Sequence, residues 1–329
     1  MNRWRLFPNP SAVRELHAIQ AWSVYLANTY CFSTEMTGLK RTVSTYVSET
    51  LAGFYKSMEV IEMRLLNTDE RRQIQLSGYE ILLELKKICE KFGLRYYLTA
   101  GTLLGAVRHG GFIPWDDDID VAMPRKDYDR LAEICRTELP DTLFFQSSET
   151  DVNFPCFFSK IRMNGTEVFE TDFEKVDIHK GRYIDIFPLD PCPRRDWAGR
   201  CFFAVMKALY WAYLSKVNED FTRLHKKWHM KLIYCMALPL SVEKIRSLRN
   251  RIARLPSSKT GRLCTVGGMH GYPREVYEEK WFEGTEYKQF ETELFPVPSG
   301  WDQLLTNMYG DYMTPPDEAD MAGHFLTEE

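Results

Sequence analysis

The chain has 329 residues, of which 44% are hydrophobic, 27% charged and 14% aromatic, and this composition indicates a folded globular protein of one large or two ordinary domains. Its net charge of -4 and pI near 6.1 give no overall attraction for polyanions, so we expect no nucleic-acid partner. The eight cysteines are scattered without a C-x-x-C pair, which disfavours a zinc site or disulfide framework and favours a cytoplasmic protein with reduced thiols.

Targeting and membrane signals are weak in this sequence. The N-terminus lacks the apolar core of a signal peptide. The most apolar stretch, residues 201–214, is interrupted by Lys207 and is shorter than the roughly 20 residues of a membrane span. Residues 200–240 are rich in Trp, Tyr, Leu and Lys, so we keep two interpretations open: packing on the rest of the protein, and peripheral contact with the inner membrane face.

In chain order, residues 1–70 contain helical patterns without a motif, and we predict an N-terminal helical extension there. Capping residues at 67–69, an apolar stripe at helical spacing and a terminal Gly93 predict the long helix that follows. Further helices are predicted at residues 103–111, 126–139, 196–217, 221–239, 241–254 and near 301–310. Strands are predicted at residues 94–102, 118–124, 143–146, 154–163, 166–170 and 181–190.

This order of elements predicts an α+β fold with a small mixed sheet surrounded by helices. We predict a catalytic domain over residues 71–329, with a helical insertion at about 196–255.

The segment GFIPWDDDIDVAM, residues 111–123, holds four aspartates in five positions. On a strand, alternation places Asp116, Asp118 and Asp120 on one face, while Ile119 faces the core. Carboxylates this close repel each other unless a cation lies between them. An all-oxygen ligand set favours Mg²⁺, Mn²⁺ or Ca²⁺.

Two other interpretations of the acidic cluster are disfavoured. An EF-hand shares the D-x-D-x-D spacing but requires glycine at position six and glutamate at position twelve, where this sequence has Val121 and Asp127. A fully solvated acidic turn does not fit the neighbouring Trp115 and Ile119, which favour burial.

The segment TAGTLLGAVRHGG, residues 99–111, places Gly101 and Thr102 at the junction of a predicted strand and helix. Backbone N–H groups at such a helix start attract phosphate, and Arg108 and His109 add positive charge nearby. The segment is not a P-loop, because it lacks Gly-Lys-Ser/Thr. Combined with the aspartates, it predicts nucleotide-dependent phosphoryl chemistry.

The stretch YYLTAGTLLGAVRHGGFIPWDDDIDVAMPRKDYDRL, residues 96–131, resembles the LicD family of phosphocholine transferases, and fukutin-related proteins look like more distant relatives. Later matching segments, in order, are KIRMNGT, GRYIDIFPLD, WFEG, VPSGWDQLLTNMYGDYMTPP and His324. The resemblance covers residues 73–324 and leaves residues 1–70 outside.

The resemblance implies a divergent nucleotidyltransferase fold with Mg²⁺, or alternatively Mn²⁺, as cofactor. Asp118 and Asp120 would bind the metal, and Asp185 in YIDIF would be the third catalytic carboxylate. Thr102 stands where serine is usual in the wider superfamily and can form the same hydrogen bonds.

The resemblance also implies a reaction: transfer of phosphocholine or a related phospho-alcohol from a CDP-linked donor, most often CDP-choline, to a sugar hydroxyl. The acceptor would be a glycan, a teichoic-acid-like polymer or a lipid-linked polysaccharide, and CMP would be released. Two alternatives remain at this point. One is a nucleotidyltransferase that moves NMP and releases pyrophosphate, and the other is a catalytically silent glycan-binding protein.

Supporting residues are predicted around the substrates. Lys160 and Arg162 alternate on a predicted strand, where they would meet the donor phosphates or form a surface edge. Tyr309, Gly310 and Asp311, with His324, would close over the site or pack as a tight turn. The candidate substrate-binding set is Gly101, Thr102, Arg108, Trp115, Lys160, Arg162 and His324. Aromatic candidates for binding a quaternary ammonium are Trp115, Tyr183 and Trp281.

Overall fold

The computed structural model describes residues 63–65, 67–170, 173, 176–218, 228–255, 260–268, 270–316 and 326–328. The predicted helical extension therefore lies almost entirely outside the described residues, and so does His324. The predicted domain border at residue 70 stays a prediction.

The described secondary structure comprises seven α-helices and eleven strands. The helices are α1 (Thr68–Phe92), α2 (Ala100–Arg108), α3 (Arg125–Glu138), α4 (Asp196–Val217), α5 (Trp228–Ala237), α6 (Val242–Ala253) and α7 (Trp301–Tyr309). The strands are β1 (Met63–Leu65), β2 (Tyr97–Leu98), β3 (Asp120–Pro124), β4 (Leu143–Gln146), β5 (Ser159–Met163), β6 (Tyr183–Pro191), β7 (Arg262–Cys264), β8 (Val276–Glu278), β9 (Thr285–Phe290), β10 (Glu293–Pro298) and β11 (Leu326–Glu328). No helix in this part of the chain is long and apolar enough to cross a membrane.

The chain divides into two compact units. In the unit that combines residues 1–65 with 326–329, β1 pairs antiparallel with β11. The unit formed by residues 66–325 contains all the other elements.

The larger unit is built on a mixed sheet of strand order β2-β3-β6-β5-β4, which β7 and β8 extend from β6. The pair β3 and β6 is parallel, and the other pairs of this sheet are antiparallel. Because β3 and β6 are parallel and in register, Asp120 lies directly opposite Asp185. Helices pack around this mixed sheet, so the predicted α+β fold class is confirmed.

Helix α1 has the ends that its sequence predicts. The Asn67 side chain accepts from the Glu70 N–H, and the Glu70 carboxylate accepts from the Asn67 N–H, which is a complete capping box. Gly93 ends the helix at φ 62°, a left-handed conformation that glycine adopts without steric strain. The apolar side of the helix, including Leu82 and Leu85, is buried in the main core beside β6.

The sheet differs from the prediction in four places. The strand predicted at 94–102 is reduced to β2 because α2 begins at Ala100, and the strand predicted at 118–124 begins only at Asp120. The strand predicted at 154–163 begins only at Ser159. The strand predicted at 166–170 is not formed. There the Thr166 hydroxyl donates to the Met163 carbonyl and accepts from the Arg182 N–H, so the chain turns instead of extending.

Helices α4, α5 and α6 follow β6 and precede β7, where the helical insertion is predicted. Helix α4 contacts both α5 and α6, and Tyr213 and Ile245 are fully buried between these helices. The insertion therefore has a small core of its own.

Candidate active site

A cavity of about 430 Å³ lies where the start of α2, the first residue of β3, the β7–β8 loop and the end of α7 meet. Acidic side chains are prominent in its lining. They are Asp116, Asp118, Asp120, Asp185, Glu275 and Asp311. The cavity contains all three predicted catalytic carboxylates, although Asp185 is separated from the other two by more than sixty residues of sequence.

Sheet register brings the carboxylates together. Asp120 on β3 faces Asp185 on β6, and Asp185 in turn faces Lys160 on β5. The Lys160 Nζ lies 2.9 Å from Asp185 Oδ1 and 3.2 Å from Glu170 Oε2. One buried ammonium thus balances part of the negative charge at the edge of the aspartate cluster.

Burial and mutual repulsion act on the carboxyls of this cluster. Burial, followed by repulsion from Asp118, raises the pKa of Asp116 and of Asp120 well above the ordinary value. Burial raises the pKa of Asp185 to about 6, even though Lys160 opposes the shift. A bound proton or cation would therefore stabilise the cluster.

An all-carboxylate donor set fits a hard divalent cation. The described residues nevertheless hold no ready-made group of three or more acidic, histidine or cysteine side chains spaced to bind a metal. The donor chemistry therefore fits, while simultaneous ligation by three carboxylates requires their side chains to move closer together.

The start of α2 is shaped by two small residues that line the cavity. A Cβ at Gly101 would lie 2.6 Å from Asp116 Oδ2, so only glycine leaves room for this carboxylate. Ala100 has φ 47°, a left-handed conformation that is uncommon for a residue with a side chain. Thr102 is buried and does not line the cavity; its hydroxyl accepts from the Asp120 N–H at 2.8 Å and so fixes the start of β3.

Arg108 and Trp115 both line the cavity, as their predicted substrate-binding role requires. The Arg108 guanidinium carbon lies 5.8 Å from the Trp115 ring centre, and its Nη1 donates to the Tyr312 carbonyl at 2.8 Å. Arg108 therefore ties α2 to the segment that follows α7.

The structure places Arg162 in a buried network that does not line the cavity. It is fully buried, and it donates from Nε to Gln146 Oε1 at 2.5 Å, from Nη1 to the Gly181 carbonyl at 2.7 Å and from Nη2 to Glu170 Oε1 at 2.6 Å. Because its donors are occupied by protein acceptors, its predicted contact with donor phosphates is corrected to a structural role. Lys160 is also buried and reaches the site only through Asp185.

Of the aromatic candidates for a quaternary ammonium, Trp115 lines the cavity. Tyr183 and Trp281 do not, and the Tyr183 ring is covered by Lys160, whose Nζ lies 3.2 Å from the ring centre. Tyr309, predicted to lie over the site, lines the cavity near the aspartates. Its ring packs edge-on against the His270 ring, with the two ring centres 5.1 Å apart.

Glu275 and His270 are cavity residues that the sequence prediction missed. Glu275 is 1% exposed, and burial raises its pKa to about 7. Its only signal in the sequence is a position at the end of the glycine-rich segment GGMHGYPRE, residues 267–275, which matches no motif that we considered.

The segment that forms most of this site matches a known protein family. Residues 93–200, which include the start of α2, the four aspartates and Asp185, match the family described as "LicD/FKTN/FKRP, nucleotidyltransferase domain". The similarity to the LicD family is thereby confirmed.

Individual relatives agree with the family match. The chain is 27% identical over 270 residues to the lipopolysaccharide cholinephosphotransferase LicD of Haemophilus influenzae, an alignment that covers 78% of this chain and 96% of that protein. It is 50% identical over 40 residues to the human ribitol 5-phosphate transferase FKRP, covering 12% of this chain and 8% of that protein. It is 26% identical over 153 residues to mannosyltransferase regulator 4 of Saccharomyces cerevisiae, covering 44% and 12% of the two chains.

Proposed function

We propose that this protein transfers phosphocholine, or a related phospho-alcohol, from a CDP-linked donor to a sugar hydroxyl of a glycan and releases CMP. At the coarser level, the likeness to the LicD cholinephosphotransferase along 96% of its length makes the chain a phosphotransferase. The observation that carries the proposal is the single cavity that unites Asp118, Asp120 and Asp185 with the start of α2.

The proposed cofactor is Mg²⁺, with Mn²⁺ as the alternative, and its ligands would be Asp118, Asp120 and Asp185. When bound, the cation would neutralise charge on the donor diphosphate and stabilise the leaving CMP. The raised pKa values of Asp120 and Asp185 support this proposal, because a bound cation would relieve the repulsion and burial that raise them.

Protein groups supply the remaining functions in this proposal. Gly101 lets the Asp116 carboxylate pack against the backbone at the start of α2, and the N–H groups of this helix start would attract the donor phosphates. Arg108 adds a cation on the same wall of the cavity, and Trp115 offers an aromatic face to a choline group. The acceptor is proposed as a lipid-linked or teichoic-acid-like glycan, with a cytoplasmic location for the protein.

Product analysis tests the function. Purified protein with CDP-choline, Mg²⁺ and a panel of glycans should release CMP. Asp118→Asn and Asp120→Asn should each lower the rate by about 10²–10³-fold, because each removes a carboxylate proposed to hold the cation that neutralises the donor phosphates. Asp141→Asn, an exposed loop residue, is the matched control and should keep the wild-type rate.

Excess EDTA should abolish release and added Mg²⁺ should restore it. Undiminished turnover in EDTA contradicts the metal proposal. Pyrophosphate released from a nucleoside triphosphate in a parallel assay, without CMP release from CDP-choline, would show NMP transfer. A screen of CDP-linked alcohols with mass detection of the product identifies the donor.

A further inference from the structure

Glu275 is held in place by two neighbouring elements. Its carbonyl accepts from the Thr265 N–H at 3.2 Å, which fixes it beside the end of β7. The Asn307 side chain on α7 donates to the carbonyls of Arg274 and Val276, at 2.8 and 3.2 Å. Hydrogen bonds to its own carbonyl and to those of its two neighbours therefore hold the backbone of Glu275 in place, although it lies at the end of a loop.

The Glu275 carboxylate lies in a cradle of backbone. Its Oε1 accepts from the His270 N–H at 2.7 Å. A Cβ at Gly268 would lie 2.2 Å from Oε1, so the carboxylate packs directly against the glycine backbone. Oε2 is also buried, but it accepts no hydrogen bond from any described residue. A buried carboxylate oxygen without a donor is costly for a fold and indicates a missing partner.

Two other carboxyls in the cavity have protein partners. Asp185 is paired with Lys160, and Asp116 hydrogen-bonds Asp118. Within the described residues Glu275 forms no ion pair, and Lys207 is the basic group that acts on it from a distance. The titratable groups around it are His270, Arg274, Tyr277 and Tyr309, and both tyrosines keep their protons at neutral pH because burial raises their pKa values.

We propose that Glu275 is the general base that accepts the proton of the attacking sugar hydroxyl, an inference that rests on the proposed function. The hydroxyl oxygen forms a bond to the phosphorus that carries the alcohol, and the bond from that phosphorus to the bridging oxygen breaks. The electron pair of the broken bond leaves on CMP. The hydroxyl proton passes to Glu275 Oε2 and is later released to water.

The chemistry of Glu275 suits this role. Burial raises its pKa to about 7, against the effect of the backbone N–H groups of Gly268, His270 and Gly271. A base whose pKa lies near the working pH combines a useful ionised fraction with strong proton affinity. Asp185 is less suited, because its ammonium partner stabilises the ionised form and weakens it as a base.

The test is Glu275→Gln, which keeps the shape and removes the base, with the exposed Glu278→Gln as matched control. We expect kcat for CMP release to fall by about 10²–10⁴-fold. The wild-type rate should rise with pH up to about 7, and the variant should lose this dependence. Binding of CDP with Mg²⁺, measured by calorimetry, should match the wild type.

A second variant, Glu275→Asp, keeps the carboxylate but shortens its reach. It should lower kcat while retaining the rise of the rate with pH. If Glu275→Gln fails to fold, as judged by circular dichroism, the test rests on Glu275→Asp alone. The proposal is then overturned if Glu275→Asp loses the rise of the rate with pH or keeps the wild-type kcat.

Other outcomes overturn the proposal in distinguishable ways. An unchanged kcat with a raised KM for CDP-choline, but not for a CDP-linked neutral alcohol, would assign Glu275 to the quaternary ammonium. An unchanged kcat and KM would leave it without a role in the reaction. If the wild-type protein releases no CMP from any donor, the proposed function itself fails, and this inference falls with it.

Discussion

At the scale of single residues, protonation of Glu275 makes the free energy of unfolding depend on pH. Its carboxyl has a pKa of about 7 in the folded chain, compared with a reference value of 4.5. Because the folded state favours the protonated form, the stabilising effect is complete below pH 4.5 and is lost as the pH rises through about 7. Ionised Glu275 thus opposes folding above neutrality.

Glu275→Gln should therefore stabilise the protein free of metal and nucleotide at alkaline pH. We expect the free energy of unfolding to rise by about 3 kcal/mol at about pH 8 and to change little near pH 4, relative to wild type. Urea unfolding at both pH values measures this difference. An equal gain at both pH values would show that ionisation of Glu275 is not the cause, and Glu278→Gln is the control.

At the scale of elements, β5 carries two buried cations that share the Glu170 carboxylate. Arg162 Nη2 lies 2.6 Å from Glu170 Oε1, and Lys160 Nζ lies 3.2 Å from Oε2. Together the two basic residues hold Glu170 ionised, since they lower its pKa against the effect of burial. This network joins β5 to the segment before β6.

Arg162→Met tests whether this network is structural. Removing one partner leaves a buried charge unpaired, so we expect the free energy of unfolding to fall by about 3–5 kcal/mol. Arg200→Met, on the exposed surface of α4, removes a solvent-screened pair and should change it by less than about 1 kcal/mol. A stable Arg162→Met variant with a raised KM for the donor would restore Arg162 to a substrate-binding role.

The elements that were predictable are those whose signals are local. The capping box of α1, the glycine at its end and the apolar stripe between them all lie within one helix. The D-x-D pattern and the glycine before it are equally local, so Asp118, Asp120 and the start of α2 were placed in one site from the sequence. Asp185 was found through a family resemblance and not through spacing.

The elements that were missed depend on contacts between distant residues. Alternation correctly placed Lys160 and Arg162 on one face of β5, but it carries no information about Glu170, which covers that face. Glu275 becomes recognisable only when Asn307 and the glycine-rich loop fold around it. In a chain with 46 acidic residues, one more glutamate gives no signal.

At the scale of the whole molecule, the helical insertion presents an apolar surface to solvent. On α5, Trp228, Leu232 and Met236 follow each other at four-residue spacing and are 75%, 50% and 67% exposed. Such a stripe on an amphipathic helix suits the boundary region of a lipid bilayer. Peripheral membrane contact therefore stays a prediction for this surface.

Flotation with anionic liposomes measures the predicted contact. We expect the wild-type chain to float with the vesicles and a Leu232→Glu, Met236→Glu double variant to remain in the dense fraction, because charged side chains cannot enter the apolar layer. Leu294→Glu on β10, also at an exposed position, is the control and should still float. Equal flotation of all three proteins would exclude α5 as the contact.

The left-handed backbone at Ala100 has a consequence for ligand binding. A residue with a Cβ in this conformation is less stable by roughly 1–2 kcal/mol than in a right-handed one, and the surrounding fold supplies the difference. Glycine at this position would adopt the same conformation without that cost, so the strain comes from the alanine side chain. A ligand that contacts this wall of the cavity therefore meets a backbone whose strain the fold has already offset, and binding does not have to supply that energy.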